Sequence, residues 1–296
     1  MKPTIQKDLK DLLLTGLKDD GFGLDWTTLG TSSVKNRQSL TAVISAKACG
    51  VFLGETLALA AEAASVEIGL PFKVRALSSD GQAVKPGTKV SEWKGSAAGI
   101  LALERPYLNL ASYLSGIATR TRVLVDTVES EWKRKKHSGI APRVTSTRKI
   151  LPHYRDAAIS AVMAGGGFAH RVSLSGGVLI KENHIAAAGS IRDAVEGARS
   201  VAPHGLKIEV EVRNLSELKQ ALHCKVEIIM LDNFTPSEVG KAVASIASFD
   251  YSPLVECSGG ISEKTIAAYA LPGVHILSIG GLTHSVTALD LSLLVK

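Results

Sequence analysis

The sequence predicts an α/β protein, an incomplete (β/α) barrel with an N-terminal α+β open sandwich domain. From about residue 142, short apolar runs alternate with amphipathic stretches to give six candidate strands, and strands that alternate with helices form parallel sheet through right-handed crossovers. The first 115 residues lack this alternation: strand-like runs there are broken by the turn signals SDGQ and KPGT. Apolar residues make up 45% of the 296 and aromatics only 5%, so the core must be aliphatic, which suits parallel sheet and helix.

The first element is an amphipathic helix in MKPTIQKDLKDLLLTGLKDD, with Ile5, Leu9, Leu12, Leu13 and Leu17 on one stripe. Strand-like runs follow in SLTAVISAKACGVFLG and FKVRALSSDGQAVKPGTKVSEWKG, where Val43, Ile44, Val74, Val90 and Trp93 are placed to face the helix ETLALAAEAAS. A helix over 105–132 leads into the barrel. The barrel strands are PRVTSTRK, GGVLIKEN, KIEVEV, VEIIMLDN, SPLVECSGG and VHILSIGG. The helices between them are YRDAAISAVMAGG, SIRDAVEGARSVAP, NLSELKQALHC, TPSEVGKAVASIAS and SEKTIAAYA. Thr235, Pro236 and Glu238 fit the N-cap, first helical position and capping-box position, and Asn214 with Glu217 repeats the pattern. The tail alternates Leu289, Leu291 and Leu293 and is expected to return as a strand to the first domain. The domains are therefore drawn as 1–115 with the tail 285–296, and 116–284.

The formal net charge of +6 suits either nucleic acid or a basic cavity for a small anion. The dense run Lys133-Arg134-Lys135-Lys136-His137 reads as a solvated helix end, with cations near the negative pole of the dipole. Cys49, Cys224 and Cys257 are far apart and form no CxxC pair, which argues against a disulfide framework or zinc knuckle and for a reducing compartment. Nothing resembles a signal peptide or a membrane span of about 20 apolar residues, so a cytoplasmic protein is expected. GxxxxGK[ST], GxGxxG and HExxH are all missing, which leaves nucleoside-triphosphate, dinucleotide and zinc-protease folds without support. His204, His223 and His275 read as surface or structural, and Cys257 as a small buried hydrophobe.

A (β/α) barrel carries its chemistry at the C-terminal ends of its strands. Those ends hold Arg148-Lys149, Lys181, Glu209 and Glu211, Asp232, Ser258-Gly259-Gly260 and Gly280-Gly281. Glu209 and Glu211 share a strand face. With Asp232, Glu211 suits a Mg²⁺ or sugar-hydroxyl site; interior salt bridges to Lys181 or Arg148 are the alternative, and for Glu209 the two readings are balanced. Glycines after two late strands can cradle phosphate on backbone N–H groups, or simply turn the chain. Arg148, Lys149, Arg171 and Lys181, with His170 beside them, would surround one pocket with cations, which demands a polyanionic ligand.

These residues sit in motifs that resemble the quinolinate phosphoribosyltransferase family: ERPYLNLASYLSGIATRTR (104–122), TSTRKILP (145–152), AGGGFAHR (164–171), VLIKENHI (178–185), EVEV (209–212), IIMLDN (228–233), ECSGGI (256–261) and LSIGGLTHSVTALDLSL (277–293). The resemblance implies a pentosyltransferase that converts quinolinate and phosphoribosyl pyrophosphate to nicotinate mononucleotide, pyrophosphate and CO₂ in NAD biosynthesis. It implies Mg²⁺ as cofactor and a homodimer or larger assembly in which Arg105 enters the neighbour's site. It assigns Arg148, His170, Arg171 and Lys181 to quinolinate, and Lys149 and Lys181 to phosphoribosyl pyrophosphate. Glu211 and Asp232 become metal and ribose acids, and Ser258, Gly259 and Gly280 phosphate-loop residues. Lys149, Lys181, Glu211 and Asp232 are the catalytic candidates. Ile150 to His153 and Gly167-Phe168-Ala169 depart from the family's usual Thr-x-Pro-Gly and GGGHNHR. Two other readings are a related transferase acting on a different acidic base, and a nucleic-acid-binding protein using Lys133–Lys136.

Overall fold

A computed structural model describes residues 2–31 and 39–296, with side chains from residue 6 onward except at 29 and 31. The chain forms two compact units, one of Met1–Arg122, Pro152–Gly166 and Val286–Lys296, the other of Val123–Leu151 and Gly167–Ser285.

In the first unit, α1 (Lys2–Asp19) buries Leu9, Leu13 and Leu17 one turn apart, with Leu12 half-buried; the side chain of Ile5 lies outside the described residues. After α2 (Trp26–Thr31) come β1 (Ser39–Ala46), β2 (Gly50–Val51), α3 (Glu55–Glu67), β3 (Phe72–Ala76), β4 (Ala83–Val84) and β5 (Lys89–Ser96). Gly54 precedes α3 and has no side chain to cap it. Asp80 takes that role, accepting from the amides of Gly54, Glu55 and Thr56 at 2.7, 2.8 and 3.2 Å. Val43, Ile44, Val90 and Trp93 are buried and Val74 half-buried. Trp93 stacks on Phe72 with ring centroids 4.7 Å apart.

The helix expected over 105–132 is longer: α4 runs Ala97–Arg134 and contains Pro106. The buried positions Ile100, Leu103, Tyr107, Leu110, Ala111 and Leu114 continue one apolar face across the proline. That burial outweighs the hydrogen bond that a prolyl nitrogen cannot donate.

The second unit carries β6 (Arg143–Thr145), β7 (Val178–Ile180), β8 (Ile208–Val212), β9 (Ile228–Asp232), β10 (Leu254–Ser258) and β11 (Ile276–Ser278). They form one parallel sheet in the order β6-β11-β10-β9-β8-β7. Phe168 extends it beyond β6, donating its amide to Val144 O (2.9 Å) and accepting from Ser146 N (3.2 Å). The sheet stays open between that bridge and β7, and this is the incomplete barrel expected. All six expected strands are present, most of them shorter than the apolar runs suggest.

The helices are α5 (Arg155–Ala164, in the first unit), α6 (Glu182–Ala188), α7 (Ile191–Val201), α8 (Leu215–His223), α9 (Pro236–Ile246), α10 (Ile266–Tyr269) and α11 (Gly281–His284). Thr235 and Glu238 make the expected capping box on α9. On α8 the pattern is broken: Asn214 accepts from the amides of Ser216 and Glu217, but the Glu217 carboxylate turns to the amide and guanidinium of Arg213. The helix expected from Ser262 shrinks to α10, because Ser262 and Thr265 tie up a turn, Thr265 Oγ1 accepting from Ser262 N at 2.9 Å. Finally β12 (Leu291–Val295) pairs antiparallel with β1 and completes the sheet β12-β1-β5-β3 of the first unit. Among the described residues no helix is long and apolar enough to cross a membrane.

Candidate active site

Parallel strands end on one side of a sheet, so the residues after β6–β11 share a rim. Lys181 follows β7 directly and is the N-cap of α6. The expected strand through Asn183 therefore stops at Ile180. His184 supplies the missing cap acceptor, its Nδ1 taking the amide proton of Lys181 at 3.0 Å. This fixes the base of Lys181 and sends its ammonium to Glu211 Oε2 on the neighbouring strand β8. Glu211 is 7% exposed and Lys181 42%. Burial raises the Glu211 pKa, the Lys181 charge opposes that rise, and Glu182 and Asp232 add to it. The salt bridge weighed from the sequence is thus present, and it lies beside Asp232. Asn233 donates its side-chain amide to Asp232 Oδ2 at 2.8 Å and its backbone N–H to Ser258 O at 2.9 Å.

Arg148 and Lys149 lie in the loop after β6, both exposed. Arg171 is half-buried, and its Nη1 donates to Gly177 O at 3.1 Å. Its pKa is lowered, first by burial and then by the positive charge of Arg148. The two guanidinium groups therefore feel one another. Lys149 meets the late glycine loop: a β-carbon on Gly280 would stand 3.1 Å from Lys149 Cδ, and Thr283 Oγ1 donates to Lys149 O at 2.8 Å. Gly259 and Gly260 both have positive φ, +87° and +63°, and Gly281 opens α11. Arg105 belongs to the first unit, its side chain 66% exposed, with Nη2 3.9 Å from Glu104.

Sequence reasoning missed Glu256. It lies on β10 two residues before Ser258, so both point to one face. His170 Nε2 stands 3.3 Å from Glu256 Oε1 and 3.4 Å from Glu209 Oε2. The three ligand atoms are close enough together to hold a metal ion in principle, but the histidine pairing already accounts for their proximity. Burial alone would lower the His170 pKa, yet the two acids outweigh it and raise the pKa to about 10. Glu209 is pushed up by its own burial, against the pull of His170. Glu209 thus faces His170, a partner that neither sequence reading named. The signal for Glu256 was available, a lone acid inside an apolar run at i, i−2 from a rim serine.

Away from the rim, Cys49, Cys224 and Cys257 are free thiols, and burial pushes Cys257 up to about 12. Glu131 binds Arg134 at 2.7 Å and Lys135 at 3.1 Å at the end of α4, which partly neutralises the basic run.

Residues 25–115 match the family model for the N-terminal domain of quinolinate phosphoribosyl transferase, and residues 117–294 match that for the C-terminal domain. The chain is 40% identical over 294 residues to a probable nicotinate-nucleotide pyrophosphorylase (carboxylating) of Methanocaldococcus jannaschii, covering 96% of this chain and 98% of the other. It is 37% identical over 287 residues to the nicotinate-nucleotide pyrophosphorylase (carboxylating) of Mycobacterium leprae, covering 96% of each. Among solved structures, the nicotinate-nucleotide pyrophosphorylase from Francisella tularensis superposes with a TM-score of 0.85 at 33% identity, over 98% of this chain and 97% of that one.

Proposed function

This chain belongs to the quinolinate phosphoribosyl transferase family, and from that premise we propose how its rim carries out the family's reaction. The enzyme is a carboxylating nicotinate-nucleotide pyrophosphorylase of NAD biosynthesis, as its relatives are named. It joins quinolinate to phosphoribosyl pyrophosphate and yields nicotinate mononucleotide, pyrophosphate and CO₂. The observation that carries the reading is the gathering of Arg148, Lys149, Lys181, Glu211, Asp232 and Ser258 at the C-terminal ends of parallel strands, with the charge of Arg148 near enough to Arg171 to lower its pKa. Such a pair is stabilised by a bound dianion.

Arg148, Arg171, His170 and Lys181 grip the two carboxylates of quinolinate, and guanidinium forks fix the plane of the ring. Lys149, Ser258, Gly259, Gly260, Gly280 and Gly281 take the phosphates of the second substrate. Held in line, the ring nitrogen attacks C1 of ribose as pyrophosphate departs, and proximity of this kind is worth about 7–11 kcal/mol. Glu211 and Asp232 offset the positive charge that develops on the sugar. The new ring cation then draws in the electron pair of the adjacent carbon–carboxylate bond, and CO₂ leaves. Lys181, poised beside Glu211, is the better placed lysine to return a proton to that carbon, since Lys149 lies against Gly280.

Two oxygen donors at the ends of adjacent strands suit Mg²⁺, which takes one or two carboxylates with water and phosphate oxygens. Glu211 and Asp232 would hold it, and it would neutralise charge on the departing pyrophosphate. The working assembly is a homodimer or larger, with the exposed Arg105 reaching the neighbour's rim. Three free thiols suit a cytoplasmic setting. Purified protein with quinolinate, phosphoribosyl pyrophosphate and Mg²⁺ is expected to release pyrophosphate and CO₂ in equal amounts. Absence of both overturns the reading, and turnover of a different carboxylated base in place of quinolinate redirects it.

A further inference from the structure

The acids behind His170 are deeper than any group the reaction needs. The Glu256 side chain is 1% exposed and that of Glu209 5%, while His170 is 14% exposed. Burying a carboxyl group is costly unless a partner compensates, and here both acids converge on the same nitrogen, His170 Nε2. They come from strands on either side of β9, Glu209 from β8 and Glu256 from β10. Nε2 therefore faces two acids at ion-pair distance inside the barrel, and Nδ1 has no hydrogen-bond partner among the described residues. Glu209 Oε1 and Glu256 Oε1 both lack a hydrogen-bond partner, so the acids face the imidazole as ion-pair partners, and the pocket holds more acid than one histidine satisfies.

We propose that Glu256 is a positioning residue for quinolinate: together with Glu209 it anchors Nε2 of His170, so that Nδ1 presents a fixed, protonated donor to a substrate carboxylate. The proposal rests on the reading of His170 as a quinolinate ligand. It explains why acids stand behind a site built to bind a dianion: they keep the imidazole cationic at a pH where an ordinary histidine would be neutral. The raised pKa of His170 agrees with this. The charged groups bearing on the ring are Glu209 from β8 and Glu256 from β10. Arg148 after β6 and Arg171 on the loop of His170 itself complete the surroundings, both acting on the same charge network through Arg171 and Glu209.

Glu256→Gln keeps the volume of the side chain and removes its charge. The expected result is a KM for quinolinate raised about tenfold, the loss of one charge-assisted contact, with the KM for phosphoribosyl pyrophosphate unchanged. In the variant kcat/KM for quinolinate should also fall as pH rises through neutrality, while the wild type stays flat there. Nitrogen-15 NMR of the imidazoles in the full wild-type chain, with His170 identified by its loss in His170→Gln, should show both of its nitrogens protonated at about pH 8.5. A wild-type His170 that has lost its proton at that pH overturns the proposal, and so does a folded Glu256→Gln protein with wild-type quinolinate kinetics and pH profile. If Glu256→Gln fails to fold, the wild-type spectrum decides. If the wild type turns over no quinolinate, the substrate assignment falls, and the spectrum still separately decides whether the acids hold His170 protonated.

Discussion

Gly259, after β10, packs so closely on Asn233, after β9, that a β-carbon there would stand 2.6 Å from Asn233 Cγ and 2.8 Å from its amide nitrogen. Both residues have left-handed backbones, φ +87° and +58°. The contact joins the proposed phosphate loop to the residue that holds the carboxylate of Asp232 in place.

Gly259→Ala should therefore injure the site on two counts. The left-handed backbone costs an alanine about 1–2 kcal/mol, and the overlap must push Asn233 away from Asp232. We expect a modest loss of stability in denaturant titration, together with a KM for phosphoribosyl pyrophosphate raised at least several-fold. Wild-type kinetics in the alanine variant would show that neither the loop nor Asn233 matters to that substrate.

Stability should depend on pH through His170. Its folded pKa is raised from 6.5 to about 10, so its stabilising contribution is full below pH 6.5 and is lost as pH climbs through about 10. Glu209, also raised, acts in the same direction at lower pH. Urea titrations of wild type and His170→Gln should thus diverge most below about pH 6.5 and converge as pH climbs through about 10. A difference that stays constant across this range would place the histidine outside the charge network.

Chains carrying Arg105→Ala and chains carrying Arg148→Ala should each be nearly inactive alone and regain part of the activity when mixed. In a mixed dimer one of the two sites receives an intact arginine of both kinds. Light scattering and subunit exchange should be followed in parallel. No recovery after proven exchange would place Arg105 outside the neighbour's site.

Much of the second unit was legible because its strands and helices change period cleanly, and Pro236 with Thr235 marked a helix start that the structure keeps. The misses have local causes. GGVLIKEN reads as a strand through Asn183 because nothing in VLIKEN breaks a chain; α6 begins there with a lysine at the cap and His184 supplying the acceptor, a combination without a sequence signature. The helix expected from residue 105 begins earlier, because the apolar face on both sides of Pro106 carries α4 through. The rim cations were visible from residue type and position alone. Glu256 was overlooked: a lone acid in an apolar run marks it as unusual, but its role depends on a partner that folding brings to it, and His170 is 86 residues away in sequence.

The pairing of β12 with β1 bears on how this molecule is made. Residues 39–46 leave the ribosome early, but their edge partner, residues 291–295, follows only after the whole second unit has been synthesised. For most of translation the N-terminal sheet has a bare edge, the kind of surface that recruits foreign strands. Nascent chains stalled before residue 291 should therefore need a chaperone that completed chains do not.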